Sequence, residues 1–461
     1  MCGITAVVSS KENIFPDLYE SLYHLQHRGQ DSFGFSYFNE NQQLLLIKQQ
    51  GLLSNSSYDN IQTNMGIGHV RYPTKGKNTI HECQPLFLKS KYHTISFVHN
   101  GQVEIEPIKS YLLKVGVSVD PSITSDSSFL LYIFDYLLNQ HERLTDEILL
   151  EIIGWIQENI QGSFNCICLI ENYGLLCFKD KYSIRPLILG KKGENYIISS
   201  ESISITSIDY EVLDDIYGHD ILIFYKENYQ LKKFISNTGK HALIYFKPCI
   251  FEWVYLAREE STIYGVNVYQ SRVKMGEYLA EKIRKIIDID QIDCIIPVPD
   301  TSKPVALEIS KQLKKPYFEA ITKNRYVNRT FIMDSQKKRK KNIKRKLNVI
   351  QHLIQDKNIL IVDDSIVRGN TIKYIVNLLK EYQVKKIFIA ISSPKIINTN
   401  HYGIDIPTKE ELLCFQKTNQ EIEKDLSVEK IIFQDLNDLE ESIPIQKATY
   451  SEFEKSIFQS S

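Results

Sequence analysis

No apolar run in this sequence approaches the roughly 20 residues that a bilayer-spanning helix needs, so a helical membrane protein is excluded. The start, MCGITAVVSSKEN, lacks the basic, apolar and small-residue order of a secretory signal, and the expectation is a cytoplasmic chain with no membrane partner. An excess of charge of one sign is also missing. Lys and Arg number 55 against 56 Asp and Glu, and a net charge of -1 leaves no global footprint for nucleic acid. The eight cysteines include no C-x-x-C pair, and the nearest two, Cys166 and Cys168, sit in the strand-like run FNCICLI. Burial as reduced thiols is the default for most of them. There is no internal repeat, no long low-complexity linker and no helix-turn-helix segment.

What is present is a 461-residue chain that is 43% hydrophobic and 24% charged, a globular composition long enough for two separate cores. The first half carries short strand-like runs: ITAVVSS, FGFSYF, QLLLIK, GIGHVRY, TISFVHN, NCICLIE, GLLCFK and NYIISSES. Between them lie an amphipathic stretch with Leu18, Leu22 and Leu25 on one face and a helix over DSSFLLYIFDYLL. These predict packed antiparallel sheets with helices outside. From about residue 290 strand and helix alternate: DCIIPVP, a helix through Ala306, Ile309 and Leu313, PYFEAI, NILIVDD, a helix from Thr371, then KKIFIAISSP. Alternation predicts a parallel sheet. The turn-rich segment SNTGKHALIYFKPC marks the join, giving domains 1–240 and 241–461.

Cys2 follows only Met1, and removal of that methionine would leave a thiol and an α-amine on one residue. An amine of pKa about 7.7–8.0 can take the thiol proton and return it to a leaving group, so one residue supplies nucleophile and base. Three polar segments of the same half supply what attack on a glutamine side chain needs. Asn100 and Gly101 can give an amide and a main-chain N–H to an oxyanion, Arg71 can fork onto an α-carboxylate, and Asp126 can take an ammonium. Each also has an ordinary role open to it: an ion pair for Arg71, a hairpin turn for Asn100-Gly101, a helix cap for Asp126.

In the second half, NILIVDDSIVRGNTIKYIVNLL joins a buried strand to Asp363 and Asp364, then to a short loop and a helix with Ile372, Ile375, Val376 and Leu379 on its apolar face. Main-chain N–H groups from Ser365 through Arg368 and Gly369 to Thr371 would converge on a phosphate at the positive end of the helix. The adjacent carboxylates would face ribose hydroxyls and a magnesium ion (Mg2+), which takes a few carboxylate oxygens and completes its octahedron with phosphate and water.

The first set, with MCGI, HRGQDS and GHVRYPT, resembles glutamine amidotransferases with an N-terminal nucleophile over about 235 residues. That resemblance adds Arg28 and Gly29 to the glutamine pocket. The second set resembles the phosphoribosyl pyrophosphate signature of type I phosphoribosyltransferases. It adds Thr301 of PVPDTS as a metal ligand, with Ser302 as the alternative, and Lys323, Arg325 and Arg329 as diphosphate contacts on a mobile flap. The run KKRKKNIKRK from Lys337 reads as a solvated charged face. The two halves in this order, with SIRPLILG, CIFEWVYLAR, VKMGEYLAEKI and IIFQDLNDL, resemble the amidophosphoribosyltransferases.

The resemblance implies a four-layer αββα glutaminase domain followed by an α/β phosphoribosyltransferase domain, and a pentosyltransferase that acts on glutamine and phosphoribosyl pyrophosphate. It also implies purine nucleotides as feedback inhibitors, a homodimer or homotetramer, and Tyr72, Tyr255 and Arg258 as hinge or channel residues. Ser183, Asn328 and Glu259 depart from the family's GIRPL, KNRYVGRT and ARPDS. Beyond Cys249 only Cys294 and Cys414 remain, too few for four thiolates, so the branch without an iron-sulfur cluster is expected. Other N-terminal-nucleophile amidotransferases, such as hexosamine-forming transferase, asparagine synthetase and glutamate synthase, would leave DDSIVRGNT without a role. A purine-sensing repressor would leave the Cys2 constellation without one.

Overall fold

The computed structural model describes residues 2–53, 58, 60–72, 79–236, 246–324, 347–406, 408–446 and 452–459. The join near residue 240, Arg325, Asn328, Arg329 and the basic run from Lys337 lie outside the described residues. Among those described, no helix is long and apolar enough to cross a membrane.

The first half stacks two sheets. One has seven strands in the order Glu211–Asp215, Ile188–Lys192, Asn195–Ser199, Gly3–Val8, Met65–Arg71, Ser32–Phe38 and Leu44–Gln50. The other has six, in the order Leu231–Ile235, Asp220–Tyr225, Gly174–Lys179, Gly162–Ile170, Thr94–Val103 and Leu86–Lys89. The pairings recorded for both sheets are antiparallel. Period-two alternation divides the side chains: Ile4, Ala6 and Val8 enter the core between the sheets, while Val7 faces outward.

The helix Phe15–His24 covers the outer face of the first sheet with Leu18 and Leu22, and Leu25 just beyond its end joins the same cluster. Helices Ile105–Lys114, Asp126–Leu138 and Asp146–Asn159 cover the second. The result is four layers, αββα.

The second half is built on four parallel strands, Cys294–Pro297, Asn358–Asp363, Lys386–Ile391 and Lys430–Phe433, in chain order across the sheet. Helices Val268–Ile286 and Lys303–Leu313 pack on one face of this sheet and Asn370–Glu381 on the other. PYFEAI, expected as a strand, makes an isolated bridge, Tyr317 to Ile295, and enters a ladder only at its last residue, Ile321, which opens the short strand Ile321–Lys323 paired antiparallel with Leu347–Val349. Pro316 has no N–H to give a ladder, and the segment contributes its carbonyl to Ile295 N and the Phe318 N–H to Ile295 O instead. The halves share a core: Ile184 of the first packs in the cluster of Ile250, Trp253 and Ile404 of the second.

Candidate active sites

Cys2 lies at the threshold of the strand Gly3–Val8, and its thiol donates to the Tyr72 carbonyl at 3.7 Å. Gly3 packs tightly: an added Cβ would fall 2.9 Å from both Leu25 and Val70. A pocket beside the thiol is lined by Cys2, Arg71, Tyr72, Glu82, Gln84, His99, Gly101, Ser125, Asp126 and Ser127. Residues dispersed over the first 127 positions thus meet at one place.

Arg71, at the end of Met65–Arg71, is buried with Nη2 3.6 Å from Glu82 Oε2. Glu82 also accepts from Thr124 N and Thr124 Oγ1, each at 2.7 Å, and from Ser125 N at 3.0 Å. Sequence reasoning missed Glu82, whose IHEC context reads as an ordinary loop. Ser125, not Asp126, caps the helix Asp126–Leu138 by accepting from Ser128 N. Asp126 stands on the first turn, where its carboxylate accepts from Val103 N at 3.0 Å and Ser127 N at 2.9 Å.

Asn100 and Gly101 are not a turn. They continue the strand Thr94–Val103 opposite Asn165 and Phe164. The Asn100 side chain is fully buried, and neither of its polar atoms has a hydrogen-bond partner. An orphaned buried amide is costly in a folded chain; Asn100 is not among the residues that line the pocket, whereas its neighbour Gly101 is. A Cβ at Gly101 would fall 2.0 Å from Ser163 O. A Cβ at Gly29 would fall 2.5 Å from Arg71 N, so Gly29 lets its loop press against the strand that presents Arg71.

Arg28 is not among the residues lining this pocket, although the resemblance assigned it there. Its guanidinium donates to the Cys2 carbonyl at 3.1 Å, to Glu201, and to both oxygens of Glu252 at 3.0 Å. Burial works against the Arg28 charge, but Glu252 and Glu201 hold its pKa above the ordinary value. Burial likewise opposes ionisation of Glu201, yet His27 and Arg28 hold its carboxyl well below the usual range.

The second site forms where Asn358–Asp363 ends. Thr301 Oγ1 donates to Asp364 Oδ2, and Ser365 Oγ donates to Asp364 Oδ1 at 2.6 Å. The Ser302 hydroxyl is turned back to the Val298 carbonyl. Thr301 therefore reaches the acidic pair and Ser302 does not. Burial, reinforced by the neighbouring Asp364, pushes the Asp363 pKa well up, and burial also raises Asp364. Among the described residues no cluster of three His, Cys, Asp or Glu could hold a metal by itself. Two buried neighbouring carboxylates beside a hydroxyl suit a hard cation that draws its other ligands from phosphate and water.

Gly369, at φ +73°, turns the loop into Asn370–Glu381, and a Cβ there would meet Leu413 at 2.8 Å. Thr371 is exposed on the helix's first turn. Arg368 is drawn aside to Glu411 at 2.5 Å, and Lys323 to Asp300 at 3.3 Å. Both side chains must exchange a carboxylate for a substrate phosphate to serve the expected role.

Of the departures, Ser183 has a visible account. It sits at φ +57°, a conformation glycine adopts without cost, and its hydroxyl accepts from Gly218 N at 2.7 Å. Glu259 is exposed, Tyr255 is exposed, and the Arg258 guanidinium pairs with Glu260.

The phosphoribosyl transferase domain family matches residues 268–407. The amidophosphoribosyltransferase of Pasteurella multocida is 39% identical over 471 residues, covering 99% of this chain and 92% of the relative. That of Escherichia coli is 37% identical with the same coverage, and that of Methanocaldococcus jannaschii 33% identical over 96% of this chain and 94% of the relative. The solved glutamine phosphoribosylpyrophosphate amidotransferase of Bacillus subtilis superposes with a TM-score of 0.82 at 26% identity, covering 97% of this chain and 94% of that one. With such identity sustained across nearly its whole length, the chain belongs to the amidophosphoribosyltransferase family.

Proposed function

We propose that this chain releases ammonia from glutamine at Cys2 and transfers it to phosphoribosyl pyrophosphate, giving 5-phosphoribosylamine, glutamate and pyrophosphate. This is the first committed step of purine synthesis. The observation that carries the reading is the pocket in which Cys2 meets Arg71, Gly101 and Asp126.

In this scheme the α-amine of Cys2, exposed once Met1 is removed, takes the thiol proton, and Sγ attacks the side-chain carbonyl of glutamine. The Asn100 amide and the Gly101 N–H receive the oxyanion. Arg71 forks onto the substrate's α-carboxylate, Asp126 takes its ammonium, and Gly29 keeps the loop close. The proton returns to the leaving ammonia, and water then frees glutamate from the thiol. Arg28 acts on Cys2 from behind, through the Cys2 carbonyl, rather than on glutamine.

At the second site Asp363 and Asp364 hold the ribose hydroxyls, while Ser365, Arg368, Gly369 and Thr371 hold the 5-phosphate. Lys323 faces the departing diphosphate. Asp363, Asp364 and Thr301 are the side chains that would hold Mg2+, whose charge offsets that of the diphosphate. Ammonia attacks the anomeric carbon as pyrophosphate leaves. Tyr72, Tyr255 and Arg258 belong to the passage between the sites.

The same reading makes the chain cytoplasmic, free of an iron-sulfur cluster because beyond Cys249 only Cys294 and Cys414 remain, and, on the family resemblance, a homodimer or homotetramer. Purine nucleotides as its inhibitors find support in two solved relatives. One is described as complexed with ADP and GMP, the other as an allosteric regulatory enzyme of purine biosynthesis. The test is to supply purified chain with glutamine, phosphoribosyl pyrophosphate and magnesium and follow both products. Glutamate and pyrophosphate should appear in equal amounts. Glutamate without pyrophosphate would assign the glutaminase half to another acceptor.

A further inference from the structure

Tyr402 belongs to the second half of the chain, yet its main-chain carbonyl accepts three hydrogen bonds from the first. Arg185 donates from Nε at 3.1 Å and from Nη2 at 2.5 Å, and Ser163 donates from Oγ at 2.8 Å. Both donor side chains are fully buried. A carbonyl oxygen has two lone pairs, so three donors on one oxygen is a saturated junction. The next residue lies beside Arg185 and the Gly101 carbonyl. Gly403 sits at φ +103°, and a Cβ there would lie 3.4 Å from Arg185 Nη2 and 3.4 Å from the Gly101 carbonyl.

Two chains of polar contacts lead from this junction to the glutamine pocket. Along the first, Arg185 Nη1 donates to Glu252 Oε1 at 3.2 Å, Arg28 Nη2 donates to the same carboxylate at 3.0 Å, and Arg28 Nε donates to the Cys2 carbonyl at 3.1 Å. Along the second, the Ser163 carbonyl lies 3.3 Å from His99 Nε2, and His99 Nδ1 lies 2.9 Å from Ser127 Oγ. Ser127 Oγ accepts from Gln84 Nε2 at 3.0 Å, and Gln84 Oε1 accepts from His99 N at 2.6 Å. With a neutral ring only one proton arrangement fits. The Ser163 carbonyl can only accept, so Nε2 carries the hydrogen and Nδ1 accepts from the Ser127 hydroxyl. Burial lowers the His99 pKa, in keeping with a neutral ring. His99, Ser127 and Gln84 all line the pocket.

We propose that Arg185 and Ser163 are positioning residues for the glutamine reaction. Each ties part of the glutamine site to the Tyr402 carbonyl. Arg185 sets the nucleophile through Glu252 and Arg28, and Ser163 sets the substrate wall through His99, Ser127 and Gln84. This rests on the reading of Cys2 as the residue that attacks glutamine.

The two chains predict different kinetics. Arg185→Lys keeps the charge but cannot span both Tyr402 and Glu252. It should lower kcat with glutamine about tenfold, the scale of one charge-assisted hydrogen bond, and slow alkylation of Cys2 by iodoacetamide. Ser163→Ala should chiefly raise KM for glutamine, by about threefold to tenfold, as the hydroxyl's bond to the Tyr402 carbonyl and the longer one it accepts from Gln102 N at 3.3 Å are lost. Synthesis from ammonium, which uses neither chain, should stay within about twofold in both variants.

Parallel loss of glutamine and ammonium activity in both variants would make the contacts structural only and overturn the proposal. So would wild-type kcat and KM for glutamine in both. If Arg185→Lys fails to fold, Ser163→Ala decides by its KM. A wild-type chain without glutamine-dependent product would defeat the parent reading instead, so the two failures are distinguishable.

Discussion

On the proposed mechanism, replacing Gly101 by alanine would strike the glutamine reaction where the oxyanion forms. The new Cβ would fall 2.0 Å from Ser163 O, 2.7 Å from Ser163 C and 2.9 Å from His99 Nε2. A carbon–oxygen contact is comfortable only at about 3.3–3.6 Å, so the strands Thr94–Val103 and Gly162–Ile170 must part locally by more than about 1 Å. The Gly101 N–H would move with its strand. A 1 Å misplacement costs about a hundredfold, and losing one oxyanion donor costs about 10² to 10³ in kcat. The overpacking itself costs about 1–3 kcal/mol, which a two-core chain can absorb. Gly101→Ala should therefore fold, with a lowered urea midpoint, and lose about a hundredfold in glutamine kcat. Ammonium-dependent synthesis should persist. A folded variant whose glutamine kcat stays within about threefold of wild type would refute Gly101 as an oxyanion donor.

Asp364→Asn removes a charge from the acidic pair and should raise KM for phosphoribosyl pyrophosphate about tenfold to a hundredfold. Normal turnover at limiting magnesium would dismiss the assignment. Metal analysis of purified chain should find no stoichiometric iron, whereas about four irons per chain would contradict the cluster-free reading. At position 183, alanine should be less stable than glycine by about 1 kcal/mol, because both lose the bond from Gly218 N but only alanine keeps the cost of positive φ. Urea unfolding measures the difference, and equal midpoints would remove the account of Ser183.

Much of the fold was legible because local patterns carried it. The apolar run before Asp363 forms the central strand Asn358–Asp363, and Ile372, Ile375, Val376 and Leu379 are buried at helical spacing. Leu18, Leu22 and Leu25 are likewise fully buried. Asn100 and Gly101 misled because neither favours a strand by propensity, yet a ten-residue strand runs through them. Here close backbone approach to Ser163 overrides preference.

The site was legible in its charges and glycines but not in their direction. Arg28 was recognisable as important, but its partners Glu201 and Glu252 lie 173 and 224 residues away, beyond any local signal. Glu82, Gln84, His99 and Ser127 escaped for the same reason: their roles exist only after two strands and a helix meet. Thr301 and Ser302 were indistinguishable until the turn sent one hydroxyl to Asp364 and the other to Val298.

On the proposed function, one chain carries a glutamine-splitting site at Cys2 and a separate acceptor site around Asp363 and Asp364. Cys2→Ala tests this most directly, with phosphoribosylamine formation assayed first from glutamine and then from high ammonium at alkaline pH. Glutamine-dependent synthesis should vanish, because no other thiol lines the pocket. Ammonium-dependent synthesis should survive, because the acidic pair and phosphate loop are untouched and more of the ammonia is unprotonated. Retained use of glutamine, or loss of both activities in a folded variant, would contradict it.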